Sequence, residues 1–305
     1  MNVKFTYHFM PWEIDYALLT FTQLKKSSYY LPKDVNVEID SVLNLSSYII
    51  NWEESKLPKQ YFIDKYNNIS KLLVDYKHNS KVYDGNELYG HLDLQYECKA
   101  DHVDYYINAC PDMYFSEHLL TYLIEGAKQI PNKYFVVTPQ IHKLWDQTWD
   151  EITNPMYQGV PYDEWNQVDI FDIRNNLKIK DEEVGLTQVY NNKWAGWFDL
   201  YNKAFYEELV PFREDWNGYG PWDFYSMLAA GFAKSKDVDF QQYLLTGQTI
   251  FEYSVGPLKE TNGFSNHYRD YLVKNDIPNQ RDVFEAKFQQ YLQEWNQYAQ
   301  DKKLF

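Results

Sequence analysis

A strict alternation of apolar and polar positions opens the chain, with the apolar set at Val3, Phe5, Tyr7 and Phe9. This period of two predicts a β-strand, which Met10-Pro11 ends. The next apolar residues recur at helical spacing, which predicts an amphipathic helix, at Ile14, Ala17, Leu18, Phe21 and Leu24. A second strand follows around Val37 and is closed by Asp40-Ser41. Strand, helix and strand within about forty residues form a βαβ unit, so we expect a parallel pair.

The pattern further along the chain predicts more strands and helices in alternation. A short aromatic and β-branched run before Pro111 predicts a buried strand, because such residues suit a pleated surface and proline ends the ladder. Helices are expected near 61–74, 119–127, 222–233 and 283–298, and further strands near 133–138 and 249–254. Alternation of this kind favours an α/β fold with a mostly parallel sheet.

Composition narrows the classes of function. The chain has 305 residues, of which 45% are hydrophobic, so it is globular and long enough for a sizeable core. Aromatic residues reach 19%, a surplus that serves flat ligands such as sugars or bases, although aromatic cores are the commoner use. The net charge of -15 argues against a strong sequence-independent grip on DNA or on an anionic membrane.

Several common sequence signals are missing. The first residues lead straight into the alternating strand without a secretory leader, and no uncharged run is long enough to span a bilayer. Cys98 and Cys110 have no metal-like spacing, so we expect reduced thiols and a cytoplasmic protein. There is no Gly-rich phosphate loop, no Gly-x-Ser-x-Gly elbow and no zinc pattern. The absence of these motifs excludes several large enzyme classes.

Four polar residues are expected to gather at one edge of the sheet: Asp40, Asp112, Asp223 and His267. Ligands of open α/β sheets bind beyond the carboxyl ends of the strands, and Asp112 follows the central one. Asp112 and His267 suit a divalent cation, Mn²⁺ or Mg²⁺, held partly by a ligand phosphate. Asp223 opens a helix behind a Gly-rich turn and is a candidate general base. The alternative for each is structural, as a helix cap, a dipole partner or a loop-packing side chain.

Carboxylates and tryptophans in the second half of the chain keep a glycoside hydrolase open. Glu214, Asp215 and Asp223 are acidic residues of the kind that flank a glycosidic bond in such enzymes. Seven of the ten tryptophans lie between positions 145 and 222, where they can stack on sugars or fill a core.

Three segments of the first half resemble nucleotide-sugar glycosyltransferases of the GT-A fold, in the family-2-like group. Met10-Pro11 resembles the end of the family's first strand beside the nucleobase, and Asp40 resembles the terminal acid of the second strand, which contacts the base. Tyr106-Ile107-Asn108-Ala109-Cys110-Pro111-Asp112 stands where the family carries Asp-x-Asp. Here Cys110 replaces the first acid, and Asp112 keeps the second, which is the family's metal ligand.

The resemblance continues to about residue 233 and extends weakly to His267. Residues 212–223 resemble a Phe-x-Glu motif, with Glu214, followed by Gly and an acidic pair that opens a helix. Trp222 replaces the first acid of that pair, and Asp223 keeps the second, the general base of inverting members. The segment 195–197 resembles the acceptor-side loop, and His267 matches a late metal-binding histidine of some members.

The resemblance implies one GT-A-like catalytic domain over 1–305, with a mixed, mostly parallel sheet flanked by helices and a C-terminal helical extension. Residues 1–115 would bind the nucleotide-sugar, 116–235 would form the acceptor half, and 236–305 would be the extension. The donor contacts would be Met10, Pro11, Asp40, Asn108 and Cys110; the substrate contacts would be Trp194, Trp197, Trp222 and Glu214.

The implied reaction moves a sugar from a nucleotide-diphosphate sugar, with a UDP-sugar favoured, to a hydroxyl of a glycan or another acceptor. It would be metal-dependent and inverting, with Asp223 as the base. A nucleic-acid acceptor is not favoured, because the chain is acidic. The second hypothesis is a non-catalytic sugar- or nucleotide-binding module of the same fold, which the replacement of an acid by Cys110 motivates.

Overall fold

The computed structural model describes residues 1–47, 50, 52–53, 55, 57–86, 89, 91–142, 147–159, 184–194, 198–210, 222–252 and 280–304. Side chains are described for all of these except 91–92, 222–225 and 280–285. In these ranges the chain forms an α/β fold, in which helices flank one mixed sheet and a long helix ends the chain. The expected fold class is confirmed, in an arrangement consistent with a GT-A-like sheet.

The described ranges contain nine strands, which all belong to one sheet. They are β1 (Asn2–Phe9), β2 (Asn36–Asn44), β3 (Lys77–Tyr83), β4 (Tyr105–Ala109), β5 (Met113–Tyr114), β6 (Tyr134–Ile141), β7 (Gly185–Val189), β8 (Phe198–Asn202) and β9 (Phe240–Glu252). The strand order is β3-β2-β1-β4-β8-β6-β9-β5, and β7 pairs with β9 from outside this path.

The sheet is mixed but mostly parallel. One direction is shared by six strands: β1, β2, β3, β4, β6 and β9. Strand β8 is antiparallel to both β4 and β6, so β6 runs in the same direction as β4. Strands β5, β7 and β8 run the other way. The parallel pairing of β1 with β2 confirms the βαβ unit expected at the start of the chain.

The helices are α1 (Ile14–Ser27), α2 (Lys59–Ser70), α3 (His91–Glu97), α4 (Leu119–Ala127), α5 (Trp222–Ser235) and α6 (Gln280–Asp301). Helix α1 follows a single 3-10 turn at Pro11–Glu13, where proline suits the first position because its missing N–H would find no partner there. Of the described helices, none combines the length and the apolar character needed to cross a membrane.

Aromatic side chains fill both faces of the sheet. On one face, Phe21 of α1 meets Tyr7 and Phe9 of β1, with ring centroids 5.5 and 5.3 Å apart. On the other, Trp194 and Trp295 belong to a second buried cluster under α5 and α6. Edge-to-face pairs of this kind contribute about 0.5–1.5 kcal/mol beyond the area that they bury. Much of the aromatic surplus is therefore core.

Strand β2 is longer than the sequence predicted, which corrects the position of Asp40. The strand continues to Asn44, so Asp40-Ser41 lies in its interior and does not close it. Pairing on both sides explains the extension, since Leu43 lies opposite Phe9 of β1 and opposite Val82 of β3. The ladder on each side outweighs the local preference of aspartate and serine for a turn.

Candidate functional site

The sheet has a topological switch point between β1 and β4. From β1 the chain moves outward through β2 to β3 and then returns to β4, which pairs with β1 on its other side. Connections leaving two neighbouring parallel strands in opposite directions open a crevice beyond their carboxyl ends, where α/β proteins bind ligands. Tyr7 lies opposite Ala109, so the residues that follow these strands, Met10 and Cys110, flank this crevice.

The corner after β1 is held in one conformation. The backbone N–H of Met10 donates to the carboxylate of Glu13 at 2.7 Å, which ties the strand end to the turn that opens α1. Met10 and Pro11 are both buried. The structure thus confirms that Met10-Pro11 ends the first strand and places the pair at the switch point; contact with a nucleobase stays a prediction.

The turn between β4 and β5 leaves the sheet at the carboxyl end of β4 and carries two of the predicted residues. Cys110 is half-buried, and the Asp112 side chain, which follows Pro111, is only 3% exposed. Burial first, and then the negative charge of Asp112, raises the pKa of the Tyr16 phenol on α1, so these two groups lie close together. Asp112 therefore places a buried carboxylate beside the carboxyl end of β4.

Asn108 lies two residues before the edge and inside the sheet. Its side-chain oxygen accepts a hydrogen bond from the Thr6 hydroxyl at 2.8 Å, and the residue lies opposite Asp199 of β8. Both Asn108 and Asp199 are buried. The donor contact predicted for Asn108 therefore stays a prediction, for a side chain already bonded to the neighbouring strand.

Asp40 lies away from the crevice. Its carboxylate is 2.8 Å from the Lys4 ammonium and accepts a hydrogen bond from Asn79 at 2.6 Å. Burial alone would raise the pKa of Asp40, but hydrogen bonds from Lys4, Asn79 and Cys98 outweigh it and lower the pKa. The expectation that Asp40 ends a strand is wrong, because the residue lies four positions before the end of β2. Its contact with a nucleobase stays a prediction.

A polar corner that the sequence reasoning missed lies where β2 does end. Asn44 donates to the carbonyl of Tyr89 and accepts from the N–H of Ser46 at 2.9 Å, and His8 Nε2 lies 3.2 Å from the same carbonyl. The signal was present, since Leu43 continues the period-two series of β2 beyond Asp40. This corner adjoins the strand end at Met10.

Trp194 is part of the core rather than of the crevice surface. The side chain has no exposed area, and its indole N–H donates to the Ser226 hydroxyl at 2.8 Å. Its ring packs against those of Phe205 and Phe240. In this arrangement the indole has no face free for a sugar.

Trp194→Phe is expected to lower the free energy of unfolding by about 1–2 kcal/mol, because it removes a buried hydrogen bond and leaves the Ser226 hydroxyl without that donor. Urea unfolding measures the loss, and Ser226→Ala should be non-additive with it in a double-mutant cycle. Weaker ligand binding at unchanged stability would instead show that Trp194 contacts substrate.

The other five predicted residues lie outside the described part of the chain or have no described side chain. Trp197, Glu214 and His267 lie outside the described residues. Trp222 and Asp223 open α5 as expected, without described side chains. The structure therefore brings together Met10, Pro11, Cys110 and Asp112 at one crevice, and it places Asp40 and Trp194 elsewhere.

A bound metal ion is not supported by the described side chains alone. Within the described ranges, no three His, Cys, Asp or Glu side chains come close enough together to hold one. Asp112 supplies a single carboxylate, whereas Mg²⁺ and Mn²⁺ take about six oxygen or nitrogen ligands. The other predicted ligand, His267, lies outside the described residues. Together, fold and crevice define an α/β protein with a candidate ligand site at its switch point.

Comparisons with known proteins find similar chains among solved structures. No protein-family model and no curated protein matches the chain. A crystal structure of S. aureus TarS 1-349 is 12% identical, with a TM-score of 0.46 over 98% of this chain and 72% of that one. The same protein in complex with UDP-GlcNAc gives 0.45, at 12% identity over the same shares of the two chains. GalNAc-T7 with UDP, GalNAc and Mn2+ is 12% identical, with 0.47 over 99% of this chain and 54% of that one. TM-scores below 0.5 do not decide what this chain does.

Proposed function

We propose that this chain is a glycosyltransferase that binds a nucleotide-diphosphate sugar, preferentially a UDP-sugar, in the crevice between β1 and β4. It would transfer the sugar to a hydroxyl of a glycan or another acceptor. The observation that carries the proposal is the buried carboxylate of Asp112, on the turn that leaves β4 at the switch point. Nucleotides bind at such points in open α/β sheets.

The two walls of the crevice differ in chemistry, and each suits one part of the donor. The β1 wall is the buried Met10-Pro11 corner, which would pack against the nucleobase. The β4 wall carries Cys110 and Asp112, which would face the sugar and the diphosphate. Two anionic groups need a cation between them, so we expect Mn²⁺ or Mg²⁺ to increase donor affinity, with His267 as the predicted second ligand.

The proposed transfer is a single displacement with inversion. Asp223, in the first turn of α5, would accept the proton of the acceptor hydroxyl as that oxygen bonds to the anomeric carbon. The bond from the anomeric carbon to the diphosphate oxygen breaks in the same step, and the nucleotide diphosphate leaves with the electron pair. Asp223→Asn should then stop transfer without preventing donor binding.

A thermal-shift screen of nucleotide-sugars, each with and without Mn²⁺, tests the proposal. A ligand at one hundred times its Kd stabilises the native state by about 2.7 kcal/mol, which raises Tm measurably. We expect one UDP-sugar to raise Tm more with Mn²⁺ than without it, and to release free UDP when an acceptor is supplied. No shift with any nucleotide-sugar would overturn the proposal.

Cys110 favours one alternative, a binding module of the same fold without turnover. A cysteine at the carboxyl end of β4 is a soft ligand and suits Mg²⁺ or Mn²⁺ less well than a carboxylate does. A nucleotide-sugar that raises Tm but releases no nucleotide with any acceptor would favour this module.

A further inference from the structure

We propose that Thr20 of α1 is a positioning residue that holds the Asp112 turn in the conformation needed for donor binding. The effect on donor binding rests on the proposed function, whereas the effect on the turn itself does not.

The Thr20 hydroxyl lies between the two backbone carbonyls that flank Asp112. Its oxygen is 2.6 Å from the carbonyl oxygen of Pro111 and 2.8 Å from that of Met113. The hydroxyl carries one proton, which it donates to one carbonyl or shares between the two. The Thr20 side chain is fully buried, so water does not compete for these contacts. One side chain therefore fixes the backbone on both sides of the carboxylate.

Thr20 belongs to a stripe of buried polar residues on one side of α1. Positions 16, 20, 23 and 27 are three or four residues apart and therefore lie along one face of the helix. Gln23 donates from its side-chain nitrogen to the carbonyl of Phe115 at 2.7 Å. Polar groups are buried only where hydrogen bonds compensate them. Thr20 and Gln23 thus bind three carbonyls of residues 111–115 from one side.

This contact replaces sheet pairing that the turn largely lacks. Strand β5 has only two residues, Met113 and Tyr114, which pair with the end of β9. Asp112 directly precedes this short strand, so its carboxylate would move with the backbone unless another element held the turn. Misplacement of a binding group by about 1 Å costs up to about a hundredfold in function, so the helix is suited to setting the strength of the Asp112 site.

The contacts of Thr20 with the carbonyls of Pro111 and Met113 form a clamp on the turn. Labelling of Cys110 tests this clamp without any ligand. Thr20→Val removes the hydroxyl at nearly constant volume, and we expect Cys110, which precedes Pro111, to react about tenfold faster with a maleimide. Cys98 is buried and its thiol pKa is raised by burial and by Asp40, so it serves as an unreactive internal reference. Thr22→Val is the matched control, because the Thr22 hydroxyl donates within its own helix, to the carbonyl of Leu18 at 2.6 Å.

Donor affinity separates positioning from a general structural role. Thr20→Val should weaken UDP-sugar binding about tenfold in the wild-type background and not further in the Asp112→Asn background, since Thr20 acts through Asp112. Thr20→Ser keeps the hydroxyl and should bind as the wild type does. If the valine variant does not fold, Thr20→Ala removes the same hydroxyl without adding bulk.

Two results would overturn the positioning role. One is a Cys110 labelling rate that Thr20→Val leaves unchanged; the other is an equal loss of affinity in both backgrounds. A wild type that binds no nucleotide-sugar, with faster Cys110 labelling in Thr20→Val, would support the clamp and overturn the proposed function instead.

Discussion

Asp112→Asn is expected to lower both donor affinity and the transfer rate by at least about a hundredfold, with little change in folding. Asparagine keeps the shape of the side chain but removes its charge, and charge-assisted contacts are the strong ones in such a site. The variant should fold because a neutral amide is cheaper to bury than the carboxylate, which is 3% exposed. Calorimetric titration with a UDP-sugar and Mn²⁺, followed by release of free UDP, measures both quantities.

Glu117→Gln is the matched control for this experiment. It makes the same chemical change five residues further along, on a partly exposed side chain that accepts a hydrogen bond from Tyr30 at 3.3 Å. Its donor affinity should stay within about twofold of the wild type, as for exposed substitutions away from a site. If Asp112→Asn also stayed within twofold, Asp112 would be a structural residue and the crevice would bind its ligand by other groups.

The residues of the crevice were predictable because local signals end their strands. Proline follows both β1 and β4, at Pro11 and Pro111, and it removes a ladder hydrogen bond wherever it stands. The alternation of β1 and the helical spacing of α1 are equally local, and both elements lie where the sequence predicted them. The position of Asp112 beyond a central strand follows from these signals alone.

Elements that depend on distant partners were missed. Strand β3 reads Lys-His-Asn-Ser-Lys-Val-Tyr, which has no alternation, and it is a strand because it pairs with β2 at the sheet edge. Strand β8 carries the buried Asp199 in its interior and runs against both of its neighbours. Register across a sheet is set by packing and pairing rather than by a short stretch of sequence.

The same reason explains the site residues that the sequence misjudged. Asp40 looked like a strand end because its partners, Lys4 and Asn79, lie on other strands. The buried polar stripe of α1 that includes Thr20 was not predicted, because a helix pattern does not show which polar residues will meet backbone carbonyls. In both cases the role of the polar side chains depends on their burial, and burial depends on the whole fold.

Lys4→Met is expected to lower the free energy of unfolding by about 3 kcal/mol. Lys4 is 6% exposed and lies 2.8 Å from Asp40 and 3.3 Å from Glu38, which is 4% exposed. Breaking a buried ion pair by removing one partner costs about 3–5 kcal/mol, because the other charge stays buried without it. The Asn79 and Lys77 contacts that remain favour the lower end of this range. Urea unfolding at pH 7 measures the loss.

Two further variants show whether the loss of stability comes from breaking the buried ion pairs of Lys4 or from removing any lysine. Lys77→Met removes the exposed partner of Glu38 and should cost less than about 1 kcal/mol. Lys4→Met combined with Asp40→Asn removes charge on both sides and should recover part of the stability. Equal losses for Lys4→Met and Lys77→Met would show that burial of the pair does not matter here.

The pH dependence of stability gives the Lys4 prediction a second, independent readout. Burial opposes the charged forms of Glu38 and Asp40, yet their hydrogen bonds, those from Lys4 included, lower the pKa of each carboxyl. A lowered pKa in the folded state adds stability that is complete above the unfolded pKa of about 4 and is lost as pH falls through the folded value. Without Lys4 this contribution shrinks, so the stability difference between wild type and Lys4→Met should narrow below about pH 4. A difference that stayed constant between about pH 7 and pH 3 would contradict the assignment of the loss to these two carboxylates.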